Sequence, residues 1–247
     1  MSPRSVHGSS DAGSSGGRVT LEVAAFSLGS ALAAARAGAD RVELCRDAAS
    51  GGLTPPAPWI RAAVATGVPT VVMVRAHADG WAFTASEHAA MRAEAREAAA
   101  AGAAGVVWGA LRADVTIDTD ALRALVDAVA PVPVTVHRAF DHARDLDAAL
   151  DALVACGVRR VLTGGGPGPA LPNAGRIARL VARAGDALAV MPGGGVRAAN
   201  AAELVRRTGA REVHSGASRP GTGRVDPAEV RRLRAALDAG PDAPASR

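Results

Sequence analysis

The sequence predicts an α/β protein that forms a single-domain (β/α)8 barrel, also called a TIM barrel. Short apolar segments alternate with alanine-rich helical segments, a glycine follows several of the helical segments, and the length of 247 residues is usual for this fold. Glycine closes a helix in the left-handed conformation, and repeated strand–helix units imply a parallel sheet. Eight such units predict a closed barrel. A doubly wound open sheet is the alternative, because the number of strands does not prove closure.

The predicted strands begin in two different ways. Four follow a Gly-Ala or Gly-Val turn, and two others begin with Val-Pro. In chain order, the predicted strands are residues 19–25, 41–45, 70–75, 106–111, 134–140, 160–163, 188–191 and 212–215.

A helix is predicted after each strand. Thr84 and Glu87 form a capping box for the third helix, and Asp226 caps the last helix, which opens with Pro227. The loops that follow strands are longer and richer in glycine and polar residues than those that precede strands. This asymmetry predicts that function lies at the C-terminal ends of the strands. The predicted helices are residues 27–37, 57–66, 84–101, 119–130, 145–155, 173–184 and 197–208, and a last one from 226.

The barrel is expected to occupy residues 19–239. Residues 1–18 are rich in serine and glycine and have no apolar core, which predicts a disordered extension and not a secretory signal. Residues 240–247 are predicted to form a disordered tail.

Composition narrows the expected surroundings and partners. No apolar run is long enough to cross a bilayer, so we expect a soluble protein without a membrane partner. Two cysteines do not form a disulfide framework, which favours the reducing cytoplasm. The net charge is only +4, the arginines are dispersed, and aromatic side chains for base stacking are few, so we expect no nucleic-acid partner. The oligomeric state stays open, a homo-oligomer included.

Several charged side chains are predicted to point into the barrel. Alternate residues of a strand share a face, and the apolar residues of these strands take the face toward the helices. The inward set is Glu22, Glu43, Arg75, His137 and His214. Isolated buried charges cost several kcal/mol each unless they are paired, so such a cluster needs a reason.

Two interpretations of this cluster are open. It is either a structural ion-pair network or a polar pocket for a small anionic or polyhydroxylated ligand, and we favour the pocket. In the pocket, Arg75 is expected to hold an anion and His214 to contribute to binding. Glu43, His137 and Glu22 are the acid–base candidates.

A glycine run follows the seventh predicted strand. Gly193, Gly194 and Gly195 precede a predicted helix, and the backbone amides at this place of a barrel commonly bind phosphate. The sequence therefore predicts an anion-binding site here. The alternative is that these glycines only form a tight turn.

Six segments together resemble the CutC family, from about residue 19 to residue 219. They are residues 21–23 (LEV), 38–45 (GADRVELC), 51–55 (GGLTP), 136–141 (VHRAFD), 161–163 (VLT) and 212–215 (EVHS). The resemblance implies a cytoplasmic (β/α)8 barrel, a role in copper homeostasis and copper as a bound ion. It also adds Arg138, Asp141 and Thr163 to the expected ligand-binding residues.

The residues themselves offer little to copper. Ala24 and Ala25 stand where some members of the family have cysteines, and no Cys-x-x-Cys pair is present. Cys45 is the one candidate metal ligand, joined at most by imidazole, and Cu(I) prefers several sulfur ligands. Two hypotheses follow: a copper-binding homeostasis protein, or a barrel enzyme that acts on a small phosphorylated or carboxylated metabolite by acid–base chemistry.

Overall fold

The computed structural model describes residues 18–219 and 221–239, and within them eight strands alternate with eight α-helices. The strands are β1 Thr20–Ala25, β2 Arg41–Leu44, β3 Thr70–Met73, β4 Gly105–Trp108, β5 Val134–Val136, β6 Arg160–Thr163, β7 Ala189–Pro192 and β8 Glu212–Ser215. The helices are α1 Leu28–Arg36, α2 Ala57–Val64, α3 Ala85–Ala100, α4 Thr119–Val129, α5 Leu146–Ala155, α6 Ala174–Ala184, α7 Ala198–Thr208 and α8 Pro227–Asp238. Two 3₁₀ helices, Arg138–His142 and Leu171–Asn173, lie in the loops.

The strands form one parallel sheet that closes into a barrel. Each strand from β1 to β7 lies beside its neighbour in sequence, and β8 pairs with β1. A parallel bridge between Gly193 and His214 joins the ends of β7 and β8. A doubly wound sheet would reverse its strand order at a switch point, and this sheet does not. The predicted (β/α)8 barrel is confirmed.

Apolar side chains fill the layer between strands and helices. Leu21 and Val23 of β1 point into this layer and are fully buried, as the strand alternation predicts. A second, small apolar cluster lies inside the barrel and contains Cys45, Met73 and Val107. The charged residues of the predicted cluster also lie in the barrel interior, beside apolar residues such as Met191, which Arg41 contacts.

The fifth predicted strand, 134–140, is too long. The strand ends at Val136, and His137 caps the 3₁₀ helix Arg138–His142. The Nδ1 atom of His137 accepts a hydrogen bond of 3.1 Å from the amide of Ala139, and this contact turns the chain. Ala139 and Phe140 are buried in the turn. Their apolar side chains therefore give the sequence the pattern of a longer buried strand.

The described residues contain no helix with the length and apolarity needed to span a bilayer. Most of the predicted terminal extensions, residues 1–17 and 240–247, lie outside the described part of the chain. Arg18, the last residue of the predicted N-terminal extension, is described and pairs with Asp40 and Asp238.

Candidate active site

The N-terminal end of the barrel interior is closed by ion pairs. Arg41 donates to Glu22 and to Glu212, each at 2.5 Å, and Arg160 forms a bidentate pair with Glu212. Arg160 also donates to the Thr135 hydroxyl at 3.3 Å. These groups satisfy one another, so this end of the barrel is structural.

A cavity of about 550 Å³ lies outside these ion pairs, at the N-terminal ends of the strands. Its lining includes Arg160 and Glu212, which are already paired with each other. Barrel enzymes react at the opposite end, where the loops that follow the strands converge. The candidate site is therefore sought there.

His214 connects the structural end of the barrel to its mouth. Its Nδ1 atom donates to Oε1 of Glu22 at 2.8 Å, and its Nε2 atom lies 3.8 Å from Oε2 of Glu43. The register explains the first contact, because Glu22 lies directly opposite His214 in the β1–β8 ladder. All three residues are buried.

The two carboxyl groups beside His214 differ in acidity. Burial raises the pKa of Glu22, but the hydrogen bond from His214 and the charge of Arg41 outweigh burial and lower it to about 2. Burial raises the pKa of Glu43 to about 7, although the charge of His214 opposes this shift. Burial lowers the pKa of His214, but the charges of Glu43 and Glu22 outweigh it, so the net shift is upward. Glu22 is thus a fixed anion, whereas Glu43 can exchange a proton near neutral pH.

Arg75 enters the mouth of the barrel from the loop after β3. Its two terminal nitrogens donate to the carbonyl oxygens of Ser50 and Ala78, at 3.1 and 3.0 Å, and its guanidinium carbon lies 4.3 Å from the centre of the Trp81 ring. Burial lowers the pKa of Arg75, while the charge of Asp79 opposes the change. The guanidinium is therefore held in place by carbonyl groups and an indole, and no carboxylate in the described part of the chain is bound to it.

His137 also packs against Trp81. Its ring centre is 5.0 Å from that of Trp81. Gly109 makes room for it, since a Cβ atom there would stand 2.7 Å from the imidazole. Burial, and then the charge of Arg75, lower the pKa of His137 to about 3. Because Nδ1 accepts the Ala139 amide, the neutral imidazole carries its proton on Nε2.

Three atoms at the mouth of the barrel are buried and unpaired. They are Oε1 of Glu43, Nε of Arg75 and Nε2 of His137, and none has a hydrogen-bond partner among the described residues. The Cys45 thiol, two residues after Glu43 in the chain, lies close enough to this carboxyl group to lower its pKa. A buried polar group without a partner costs about 1–3 kcal/mol. Such atoms are candidates for hydrogen bonds with a ligand or an ordered water.

Arg234 also has unpaired nitrogens in the described part of the chain, but its surroundings differ. Its other terminal nitrogen donates to Asp40 at 2.6 Å, and Asp238 lies 2.8 Å away. Carboxylates thus neutralise Arg234, whereas no carboxylate is paired with Arg75 in the described residues.

Asp141 and Thr163 organise the loop after β6. The carboxylate of Asp141 accepts a hydrogen bond of 2.5 Å from the Thr163 hydroxyl and hydrogen bonds of 2.9 to 3.1 Å from the amides of Gly164 and Gly166. It also accepts a hydrogen bond of 2.7 Å from Nε of Arg138. These contacts fix the glycine-rich loop after β6, so the two residues position other groups.

The glycine run after β7 makes close contacts that need glycine. A Cβ atom on Gly193 would stand 2.4 Å from Leu162, and one on Gly194 would stand 2.8 Å from the Arg138 guanidinium. Gly194 and Gly195 have φ angles of 103° and 70°, which favour glycine. The tight-turn interpretation explains these three residues. Anion binding by their amides stays a prediction, with Arg138 as the neighbouring cation.

The surroundings of Cys45 weigh against a tightly bound copper ion. The thiol is fully buried, and burial together with the charge of Glu43 raises its pKa well above the ordinary value. A metal needs the thiolate form. In the described part of the chain, no group of three or more His, Cys, Asp or Glu side chains is arranged to hold a metal ion. Met73 is the other sulfur in the cluster around Cys45.

Sequence reasoning missed Arg41 and Gly109, although both positions carried a signal. Arg41 is two residues before Glu43 on β2, so the alternation that placed Glu43 inward also placed Arg41 inward. Gly109 is the residue after Trp108 that admits the His137 ring, and this contact between strands has no signature in one sequence. The carbonyl partners of Arg75 likewise come from loops.

The fold and the site define a class of protein: a single (β/α)8 barrel with buried, partly unpaired ionisable groups at its C-terminal mouth. The chain belongs to the CutC family, whose model matches residues 19–219. The resemblance seen in the sequence motifs is thereby confirmed.

Relatives from several bacteria support this assignment. A CutC family protein of Mesorhizobium japonicum is 42% identical to the chain, and the match covers 78% of this chain and 76% of the relative. A CutC family protein of Xanthomonas campestris is also 42% identical, and the match covers 81% of this chain and 84% of the relative. The crystal structure of a CutC protein from Streptococcus agalactiae, to which a proposed role in copper homeostasis is ascribed, is 30% identical with a TM-score of 0.77. It is covered over 98% of its length, and the match spans 80% of this chain.

More distant structures share the fold alone. Phosphoribosylanthranilate isomerase of Thermotoga maritima is 14% identical with a TM-score of 0.62, over 90% of this chain and 99% of the isomerase. At this level of identity the likeness describes the barrel and not its chemistry.

Proposed function

We propose that the protein is an enzyme that acts on a small carboxylated or phosphorylated metabolite by acid–base chemistry at the mouth of its barrel. The three buried, unpaired atoms of Glu43, Arg75 and His137 carry this proposal. A structural network would pair these atoms, as the ion pairs at the other end of the barrel do. The free thiols of Cys45 and Cys156 suit a reducing compartment, so we place the activity in the cytoplasm.

Each residue of the site has a distinct role in this proposal. Glu43 is the acid–base group, because its pKa of about 7 lies near the working pH. His137 donates from Nε2 as a neutral imidazole, and Arg75 binds the negative charge of the ligand. Glu22 and His214 are positioning residues, since Glu22 is held by Arg41 and itself holds the His214 ring beside Glu43.

A melting-temperature screen of carboxylated and phosphorylated metabolites tests this proposal. A ligand at one hundred times its Kd adds about 2.7 kcal/mol, which raises the Tm of a protein of this size by about 5 to 10 °C. We expect His137→Asn to lose this rise, because it removes the Nε2 donor.

His142→Asn is the matched control for that variant. His142 lies in the same 3₁₀ helix and also packs against Trp81, with ring centres 5.7 Å apart, but it is exposed. The control should keep the full ligand response. Equal responses of wild type and His137→Asn to the same metabolite would contradict the proposal.

Copper is the second candidate, as the ligand of a homeostasis protein. The role ascribed to the Streptococcus agalactiae relative and the two sulfur atoms in the cluster of Cys45 and Met73 favour it. The buried, protonated thiol weighs against tight binding.

The copper hypothesis predicts that Cys45→Ser abolishes stoichiometric Cu(I) binding. Cys156→Ser is the control, since Cys156 is also buried but lies at the end of α5, outside that cluster. The measurement is a Cu(I) titration against a competing chelator of moderate affinity. Wild type that takes no Cu(I) from this chelator would exclude the hypothesis.

A further inference from the structure

The cavity at the N-terminal ends of the strands lies at the opposite end of the barrel from the candidate active site. Its volume is about 550 Å³, and its lining comes from the starts of β6, β7 and β8 and from the loops that precede β7 and β8. Small-molecule sites in proteins usually enclose about 300–1,000 Å³. The cavity therefore has room for an organic molecule, and a single inorganic ion would fill only a small part of it.

Two glycines border this cavity without narrowing it. Gly185 ends α6 and Gly209 ends α7, with φ angles of 51° and 70°. A Cβ atom on either glycine would have no atom within 4 Å outside the neighbouring residues. The two loops therefore leave the cavity open to a molecule from solution.

The charged side chains that line the cavity are not balanced. Arg160 and Glu212 bind each other, and Glu212 also accepts a hydrogen bond from Arg41. Arg211 has Asp186 as its partner, but the two charged groups are 3.8 Å apart and both side chains are almost fully exposed. Surface pairs of this kind contribute at most about 1 kcal/mol. Arg211 is therefore available to a stronger partner.

A second guanidinium group at the cavity is also available. Arg159 is exposed and lines the cavity, and within the described residues neither an ion pair nor a side-chain hydrogen bond holds it. Arginine binds phosphate and carboxylate oxygens through two parallel N–H bonds. The two positive charges of Arg159 and Arg211 match a phosphate monoester, which carries about two negative charges at neutral pH.

Apolar side chains form another part of the lining. Val181 of α6 and Pro133 before β5 are half-buried, and Ala187 before β7 is exposed. Inorganic phosphate would leave these side chains in contact with water, whereas the organic part of a phosphate ester would cover them.

We propose that this cavity is a second binding site, which takes a small organic phosphate monoester. The phosphate group binds Arg159 and Arg211, and the organic part lies against Val181 and Pro133. The site goes beyond the function proposed for the mouth of the barrel, because its lining contains none of the residues to which that function is assigned.

Titration calorimetry of the full chain with phenyl phosphate tests the proposal, since this probe joins a phosphate group to an apolar ring. We expect saturable binding at pH 7.5 and low ionic strength, and weaker binding in high salt, which screens exposed charges. Benzoate, with one negative charge, should bind more weakly, and phenol, which is neutral, should not bind detectably.

Arg159→Ala and Arg211→Ala remove the two available cations one at a time. Each should raise the Kd for phenyl phosphate about 3- to 10-fold, because each loses a charge-assisted contact. Arg144→Ala is the matched control. Arg144 is also exposed, with the carboxylate of Asp114 at 3.6 Å, but it does not line the cavity, so the Kd should not change.

Ala187→Glu tests the cavity without removing a side-chain contact of the fold. Ala187 is exposed in the lining, so a carboxylate there should repel the phosphate group and abolish measurable binding. Ala104→Glu is its control, since Ala104 is also exposed and stands just before β4, outside the lining of the cavity. This control should bind phenyl phosphate as wild type does.

His137→Asn separates this site from the mouth of the barrel, and it should keep the binding that Arg159→Ala and Arg211→Ala weaken. Wild type that binds no phenyl phosphate overturns the proposal, and so does binding that is unchanged in Ala187→Glu. Binding that is lost in His137→Asn but unchanged in the two arginine variants places the phosphate at the mouth and likewise overturns the second site. Equal affinity for benzoate and phenyl phosphate overturns the phosphate monoester as the class of ligand.

Discussion

Glu22 and Glu43 are two buried carboxyl groups that lie beside the same imidazole and acquire opposite properties. Glu22 accepts from both His214 and Arg41, and these contacts overcome the cost of burial. Glu43 has a longer contact to His214 and a contact with the Cys45 thiol, and these do not offset burial, so its pKa rises. The number of hydrogen-bond donors around each carboxylate therefore decides which one can move a proton.

The raised pKa of Glu43 predicts how the stability of the protein depends on pH. The pKa is about 7 in the folded protein and 4.5 ordinarily, so the folded state holds a proton that the unfolded state has lost between these values. The free energy of unfolding should fall as pH rises from about 5 to 8, by about 1.4 kcal/mol for each unit of pKa difference. Glu43→Gln imitates the protonated acid and should match wild type at pH 5 and exceed it at pH 8.

Urea unfolding of both proteins at pH 5, 6, 7 and 8 measures this difference. The same pH dependence in wild type and Glu43→Gln would show that the carboxyl group is not buried as described. Glu22→Gln should not remove this slope, because the lowered pKa of Glu22 acts between pH 2 and 4.5.

For individual residues, the sequence predicted which side chains point into the barrel better than it predicted what each of them does there. Strand alternation placed Glu22, Glu43 and His214 inside the barrel, because one buried face fixes the side of every residue. The same rule could not show that Arg41 neutralises Glu22, since this depends on the register between β1 and β2. The division of Glu22 and Glu43 into positioning and acid–base residues therefore needs coordinates.

Among the elements, the segment after β5 shows where a pattern misleads. Val134, Val136 and the buried Phe140 continue an apolar sequence, so residues 134–140 were predicted as one strand. The side chain of His137 instead captures the Ala139 amide, and the chain turns into a 3₁₀ helix. The turn brings Arg138 to the loop after β6, where it donates to the Gly168 carbonyl at 2.6 Å.

The 3₁₀ helix Arg138–His142 holds both the glycine-rich loop after β6 and the glycine run after β7. Asp141, at the end of that 3₁₀ helix, binds the amides of Gly164 and Gly166, and Arg138 packs on Gly194. The sequence showed three glycine- and polar-rich segments far apart in the chain. Their mutual contacts are tertiary, so the sequence did not show that Asp141 and Thr163 support the loop; ligand binding by these two residues stays a prediction.

Across the whole molecule, ionisable groups form a chain through the interior of the barrel. It runs from Arg160 and Glu212 through Arg41 and Glu22 to His214 and Glu43. At the N-terminal end of the barrel these groups are hydrogen-bonded to one another. At the other end, Oε1 of Glu43 has no hydrogen-bond partner among the described residues. The alternation of strands and helices in the sequence predicted the barrel. Its closure is seen in the pairing of β1 with β8 and in the bridge between Gly193 and His214.

The central claim is that the paired groups around Glu22 stabilise the fold, whereas Glu43 serves ligand binding. One comparison tests this claim most directly. Stability by urea unfolding at pH 7 and melting-temperature response to the stabilising metabolite are measured for Glu22→Gln and Glu43→Gln. Glu22→Gln should lose about 3–5 kcal/mol, because it breaks a buried ion pair with Arg41 and His214. Glu43→Gln should be more stable than wild type at this pH, as the raised pKa of Glu43 requires, and should lose the response to the metabolite. A Glu43→Gln protein that is as destabilised as Glu22→Gln, yet still responds to the metabolite, would contradict the claim.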